Sequence, residues 1–187
     1  SRHLDLSAAF DTIDHSILLS RLTHWFGITG TAYSWFESYL FSRSFSVLSN
    51  SHHSVTTPLS CGVPQGSVLG PLLFIMYTTP LSSILSTTSV DHHLYADDTQ
   101  LFISFSPPNF SASVNQLQSV FSKVSTWMSA NLLSLNPSKT EFLVIGLPAQ
   151  LAKLNNTSLS IDQNTILQPA THARNLGFLI DCNLNFD

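Results

Sequence analysis

The spacing of apolar residues changes several times along the chain, and each change predicts an element. Leu4 and Leu6 flank Asp5 in the two-residue alternation of a strand. From Thr12 or Asp14, either of which suits a helix N-cap, Leu18, Leu22, Trp25 and Phe26 recur at helical spacing until Gly27 stops the run. A second helix is predicted with Thr31 as its cap and Ala32, Trp35, Phe36, Tyr39 and Leu40 on one face. Between Phe41 and Pro58, Phe45 and Val47 alternate with serines, which reads as a hairpin or a pair of short strands joined near Asn50 to His53.

Further along, Gly62, Pro64, Gly66, Gly70 and Pro71 punctuate a shaped loop, after which Leu72 to Tyr77 and Leu81 to Leu85 predict a buried helix bent near Pro80. His92 to Phe105 places Ala96, Asp97 and Asp98 between two apolar stretches, the pattern of two strands meeting at a carboxylate-bearing turn. Val114, Leu117, Val120, Phe121, Val124, Trp127 and Met128 mark a long amphipathic helix that has to pack on a sheet. Asn136 and Pro137 form a turn into a strand from Phe142 to Ile145; a hairpin around Asp162 to Asn164 and a final strand from Leu176 to Ile180 follow. That order predicts an α+β fold in which helices cover one face of a sheet.

Composition narrows the reading. A chain of 187 residues with 43% hydrophobic content can bury a sizeable core, so disorder is not expected. Its formal net charge of −4 and 10% charged residues provide no global basic field, so any grip on a polyanion must be local or lie outside the chain. Cys61 and Cys182 have neither metal-site nor disulfide-framework spacing and are read as reduced, buried, structural thiols. The longest apolar run, Leu69 to Tyr77, is broken by Gly70 and Pro71 and is shorter than the roughly 18 to 20 residues of a membrane span. No secretory signal precedes Asp5, so an intracellular protein is expected, with its beginning missing. The neighbouring pairs His52, His53 and His92, His93 would point to opposite faces of a strand, which argues against a histidine metal site.

Tyr95, Ala96, Asp97 and Asp98 on a tight hairpin would present adjacent carboxylates from a strand end, where a hard cation such as magnesium finds oxygen ligands. An aspartate pair can equally be a solvated turn, since Asp is a favoured turn residue. Four further segments decide the matter by their order. The quartet has the form of the YxDD box of reverse transcriptases, and LDLSAAFD at Leu4 to Asp11 is similar to that family's first palm motif, with an aromatic residue five positions after the aspartate. GVPQGS at Gly62 to Ser67, continuing as VLGPLLF, resembles the loop and helix under the template and incoming nucleotide. LNPSKT at Leu135 to Thr140 and RNLGF at Arg174 to Phe178 look like the later palm motif and the start of the primer-grip hairpin. The wording is closest to the non-LTR, LINE-type branch that contains the jockey group, and the resemblance covers nearly the whole chain.

The resemblance implies a polymerase palm: an antiparallel sheet with helices on one face and a ferredoxin/RRM-like core. It implies a single partial reverse transcriptase domain over residues 1–187, with fingers and thumb largely missing and the isolated piece inactive. Asp5, Asp97 and Asp98 would hold two Mg2+ ions, Asp98 in a supporting role. RNA template, DNA primer and deoxynucleoside triphosphate would be the partners. Phe10 would lie beneath the sugar and exclude a 2′ hydroxyl, with a plain core role as the alternative. Gln65 and Gly66 would approach the templating pair, and Tyr95 and Ala96 would bind substrate; a plain tight turn is the alternative for the Gln65 loop. Lys139 would neutralise or protonate the leaving pyrophosphate, unless it is only a solvated lysine. Arg174, Leu176, Gly177 and Phe178 would support the primer end, or form an ordinary final strand. Asp11, Asp14 and His15 read as helix-start residues rather than ligands. A nuclear location or a cytoplasmic ribonucleoprotein follows from the same resemblance. Two rival readings remain, an inactive retrotransposon remnant and a nucleic-acid-binding module without catalysis. The polymerase reading requires Asp5 and Asp97 to meet at one edge of a single sheet.

Overall fold

The computed structural model describes residues 2–4, 6–7, 9–64, 66–136, 138–154, 157–160, 165–175 and 178–183. The chain is mixed α and β with antiparallel strand pairs, as the α+β expectation requires. It forms two compact units, a helical one of Ala8–Thr79 with Asn131–Leu133, and a sheet-bearing one of Ser1–Ser7, Pro80–Ala130 and Ser134–Asp187.

In the helical unit, helix α1 (His15–Phe26) starts at Asp14, whose side chain accepts the Ile17 N–H at 2.8 Å. It ends at Gly27, in a left-handed conformation with φ 65°, where the Ile28 N–H reaches back to the Leu22 carbonyl. Leu18, Leu19 and Leu22 are buried, but Trp25 and Phe26, expected on the same helical run, are exposed at 49% and 39%. Helix α2 (Gly30–Leu40) packs on α1. Thr29, not Thr31, holds the cap position, and its side chain makes no capping bond. Of the predicted face only Leu40 is buried; Trp35 is 51% exposed and stacks on the Tyr39 ring instead. Beyond α2, Ser44–Phe45 pairs with Thr57–Pro58, and Leu48–Ser49 pairs with His52–His53. The turn between the inner pair falls on Asn50 and Ser51, both at positive φ, the pattern of a type I′ hairpin.

Helix α3 (Gly70–Ser86) runs through both units, whose boundary falls between Thr79 and Pro80. Pro80 lies inside one continuous helix, and the Thr78 and Thr79 hydroxyls bond the Phe74 and Ile75 carbonyls in the turn before it. Leu73, Phe74, Tyr77, Leu81 and Leu85 are buried, whereas Leu72 and Ile75 are exposed.

The sheet-bearing unit holds a four-stranded antiparallel sheet in the order Glu141–Phe142, Arg2–Leu4, Asp98–Phe102, Asp91–Tyr95. Helix α4 (Phe110–Ala130) buries Leu117, Val120, Phe121, Val124 and Met128, a stripe at three- and four-residue spacing, and packs on Ser134–Leu135 and Leu159–Ser160. The strand expected at Phe142 to Ile145 is shorter, Glu141–Phe142, and Leu143 adds a parallel bridge to Ala170. Leu159–Ser160 pairs with Ile166–Leu167 around the predicted Asp162 to Asn164 hairpin, whose turn lies outside the described residues. Cys61 and Cys182 carry free thiols, half-buried rather than buried.

Candidate active site

The carboxylate turn is a two-residue hairpin. Tyr95 pairs with Asp98, leaving Ala96 and Asp97 as its central residues. Ala96 sits at φ 51° and Asp97 is not left-handed, so only the first central residue has positive φ, the pattern of a type II′ turn. That position favours glycine; for alanine the left-handed conformation costs about 1–2 kcal/mol. Asp97 and Asp98 are both half-buried and Tyr95 is 61% exposed. Along the second strand, Thr99 and Leu101 are buried, so Asp98 and Gln100 take the other face by the two-residue period.

Arg2–Leu4 is hydrogen-bonded to this strand, with Leu4 opposite Thr99, one residue from Asp98. Asp5 lies outside the described residues; after it, Leu6–Ser7 pairs with Ser134–Leu135. Among the described residues no three His, Cys, Asp or Glu side chains gather as a metal-holding group. The donor chemistry nevertheless suits a hard divalent cation, because Asp97 and Asp98 offer carboxylate oxygens from a strand end whose turn geometry is fixed.

The second cluster belongs to the helical unit. The Phe10 ring is half-buried and tilted against Phe74, with centroids 5.2 Å apart. Its carbonyl accepts the Val63 N–H at 2.9 Å, and the Gly62 N–H donates to the Ile13 carbonyl at 2.8 Å. Gly62 has φ 87°, and a Cβ there would lie 2.9 Å from the Asp11 carbonyl oxygen, so this close backbone approach requires glycine. Next along the loop, Ser67 N–H donates to the Pro64 carbonyl and Ser67 Oγ accepts the Gly70 N–H at 3.0 Å. Phe10, Pro64, Gly66, Ser67, Gly70 and Pro71 line an open cavity of about 330 Å³. Gln65 lies outside the described residues.

Lys139 is exposed on a turn built by Asn136, whose carbonyl accepts the Lys139 N–H at 3.2 Å and the Thr140 hydroxyl at 2.8 Å. His172–Asn175 and Phe178–Asp181 form an antiparallel hairpin, with Phe178 72% exposed and the Arg174 N–H donating to a Glu141 carboxylate oxygen at 3.2 Å. Leu176 and Gly177 lie outside the described residues.

Two polar residues of the helical unit are buried: His15, which opens α1 as a helix-start residue should, and Arg21, which the sequence pattern did not single out. His15 is 2% exposed, with Nε2 2.7 Å from the Gly62 carbonyl oxygen. Arg21, 8% exposed, donates to the Tyr77 carbonyl and to Asn131 Oδ1. Both stand in the buried stripe of α1, and for Arg21 a polar residue at an apolar position was the available signal.

The family model described as reverse transcriptase (RNA-dependent DNA polymerase) matches residues 2–180. The chain belongs to the reverse transcriptase family. Among curated relatives, a probable RNA-directed DNA polymerase from transposon BS of Drosophila melanogaster is 31% identical over 189 residues, covering 98% of this chain. The RNA-directed DNA polymerase from mobile element jockey of the same fly is 36% identical over 101 residues, 51% of this chain. The jockey-like, non-LTR resemblance is thereby borne out. The reverse transcriptase chain spans 20% of the length of the BS protein and 11% of the jockey protein. A solved structure of apo telomerase from Candida tropicalis, truncated from its C-terminal domain, aligns over 100% of this chain and 34% of its own, with TM-score 0.63 and 14% identity. That last likeness is one of fold.

Proposed function

We propose that this chain is the palm of an RNA-directed DNA polymerase of a retrotransposon, a partial reverse transcriptase domain over residues 1–187 with a ferredoxin/RRM-like core. The relatives' greater length supports reading fingers and thumb as parts of a longer polypeptide. The observation that carries the proposal is the register of Leu4 opposite Thr99, next to the Tyr95–Asp98 turn, which ties the strand leading into Asp5 to the strand bearing the carboxylates.

On this reading Asp5, Asp97 and Asp98 supply oxygen ligands from separate segments of the chain to two Mg2+ ions. Bound there, the ions would lower the pKa of a primer 3′ hydroxyl and offset charge on the triphosphate and its leaving pyrophosphate. Phe10 excludes a 2′ hydroxyl by filling the space beneath the sugar, which selects deoxynucleotides. Gln65 and Gly66 approach the templating pair; Tyr95 and Ala96 bind substrate; Lys139 lends charge or a proton to pyrophosphate; Arg174, Leu176, Gly177 and Phe178 support the primer end. RNA template, DNA primer and deoxynucleoside triphosphate are the partners, met in a nucleus or a cytoplasmic ribonucleoprotein. No helix among the described residues is long and apolar enough to cross a membrane.

The test is magnesium-dependent incorporation of deoxynucleotides on a primed RNA template by the longer polypeptide that carries this segment. Asp97→Asn should abolish incorporation while circular dichroism and thermal unfolding stay native, and full retained activity would remove Asp97 from the site. Phe10→Ala should admit ribonucleotides; unchanged sugar discrimination would return Phe10 to a core role. Salt-dependent nucleic-acid binding with no incorporation by the unsubstituted protein would favour a binding module.

A further inference from the structure

We infer that His15 is a positioning residue for nucleotide sugar selection, acting on Phe10 through the Gly62 carbonyl and the Val63 amide. The inference deepens the polymerase reading and rests on it. His15 is the first residue of α1 and 2% exposed, so its ring polarity must be answered inside the protein. A carbonyl oxygen can only accept, so the 2.7 Å contact with Gly62 puts the hydrogen on Nε2. Nδ1 is buried and has no hydrogen-bond partner among the described residues. The Phe41 ring packs edge-on against the imidazole, centroids 5.5 Å apart and planes at 85°, which fixes its tilt.

What this single hydrogen bond holds distinguishes His15 from an ordinary core histidine. Gly62 occupies a left-handed conformation within contact distance of the Asp11 backbone, so the loop can follow one narrow path there. Its N–H is tied to Ile13, and the next amide, Val63 N–H, is tied to the Phe10 carbonyl at 2.9 Å. The Gly62 carbonyl and the Val63 N–H belong to the same peptide group. Because that group is planar, a rotation that releases the carbonyl from His15 also turns the N–H away from Phe10. Phe10 then loses that backbone tether and is held beside Gly66 and Gly70 less firmly, with its ring still against Phe74. A ring that discriminates by occupying space loses selectivity when its backbone is free to shift by a fraction of an ångström.

Three substitutions in the longer polypeptide separate the donor from the bulk. Gln places an amide nitrogen near the Nε2 position, Asn stops one atom short, and Phe keeps a ring without a donor. The readouts are the deoxy-to-ribonucleotide ratio of kcat/KM on a primed RNA template and hydrogen exchange of the Gly62–Val63 segment. His15→Phe and His15→Asn should each lower the discrimination ratio and speed Val63 exchange by on the order of tenfold, the worth of about one hydrogen bond. His15→Gln should restore both. If His15→Phe fails to fold, the Asn and Gln pair carries the comparison. Equal losses in Gln and Asn, or discrimination left intact by Asn and Phe, would overturn the inference and leave the polymerase reading standing. No incorporation by the unsubstituted protein would instead overturn that reading, and the inference with it.

Discussion

Arg21 offers the most quantitative test of how the helical unit holds together. It stands between Leu18 and Leu22 in the buried stripe of α1, and its guanidinium lies over the Tyr77 ring, 4.4 Å from the centroid. It donates to the Tyr77 carbonyl and to Asn131 Oδ1, while the Tyr77 hydroxyl donates to the Asn131 carbonyl at 2.7 Å. Helix α1, helix α3 and the segment after α4 are therefore joined at one charge. Burial costs that charge hydration and holds the guanidinium below its usual range, with the neighbouring Tyr77 opposing the shift.

Cutting Arg21 to alanine removes hydrogen bonds worth about 1.5–3 kcal/mol each for a charged donor and a ring contact worth about 0.5–2 kcal/mol. It also returns the cost of burying the charge, while the Tyr77 carbonyl and the Asn131 amide oxygen left without that donor cost about 1–3 kcal/mol each, so the net loss expected is about 3–5 kcal/mol. Arg21→Met fills much of the volume and should lose less, about 2 kcal/mol, because the Tyr77 carbonyl and the Asn131 amide are still left without that donor. A double-mutant cycle of Arg21→Met with Asn131→Ala, followed by urea unfolding, isolates the pair. The expected coupling is about 1.5–3 kcal/mol. Losses that simply add, within about 0.5 kcal/mol, would refute the clasp.

Tyr77 gives a pH signature of the same clasp. Burial is the main cause of its raised pKa, so the unfolded chain releases the phenol proton first, near 10.0. Stability tied to Tyr77 is then fully present below that pH and is lost as pH rises beyond it; thermal unfolding should show this steeper alkaline loss in the native chain relative to Tyr77→Phe. Gly62→Ala should destabilise by about 2–4 kcal/mol, adding a backbone collision to left-handed strain, whereas Gly66→Ala, at φ 76° with open space around it, should cost only about 1–2 kcal/mol; equal losses in chemical denaturation would contradict the difference. Ala96→Gly should stabilise the carboxylate hairpin by up to about 1 kcal/mol, since glycine relieves the strain and gives back part of the gain in chain entropy; a lower melting temperature would count against a strained turn.

The features legible in the sequence are those whose causes are local. Asp14 and Gly27 bracket α1 because a cap and a left-handed stop act within one turn, and Asn50 marks its hairpin because its φ must be positive. The spacing of Leu117, Val120, Phe121 and Val124 set the buried side of α4. Periodicity groups residues on a face without specifying that anything covers it, which is why Trp35 and Phe36 share a predicted face on α2 of which only Leu40 is buried. Thr29 and Thr31 flank Gly30 as near-equivalent caps, and the two-residue register error there is of the size that local chemistry leaves open. Two-residue strands such as Leu6–Ser7 carry no period at all; they exist because Ser134–Leu135 lies opposite. Arg21 and Asn131 are joined across 110 positions, beyond any local rule.

The candidate site combines both kinds of cause. The Tyr95–Asp98 turn was readable because turn chemistry is local, yet a pair of turn aspartates is ordinarily a solvated loop, and nothing local distinguishes the two. Two non-local features raise this turn above that default. Its second strand is paired on both sides, to Asp91–Tyr95 and to Arg2–Leu4, so the carboxylates project from the interior of a sheet and not from a free ribbon. Its first central residue is an alanine in a conformation that favours glycine, a strain that persists only where surrounding structure overdetermines the backbone. A chain of net charge −4 adds a constraint of its own, because carboxylates concentrated at one point repel a triphosphate unless cations intervene. On the proposed reading, Asp97 and Asp98 would meet that polyanion through metal ions. On that proposed reading, the hairpin strain and the double-sided pairing would hold Asp97 and Asp98 in place, and the low positive charge would leave the metal ions to offset the triphosphate.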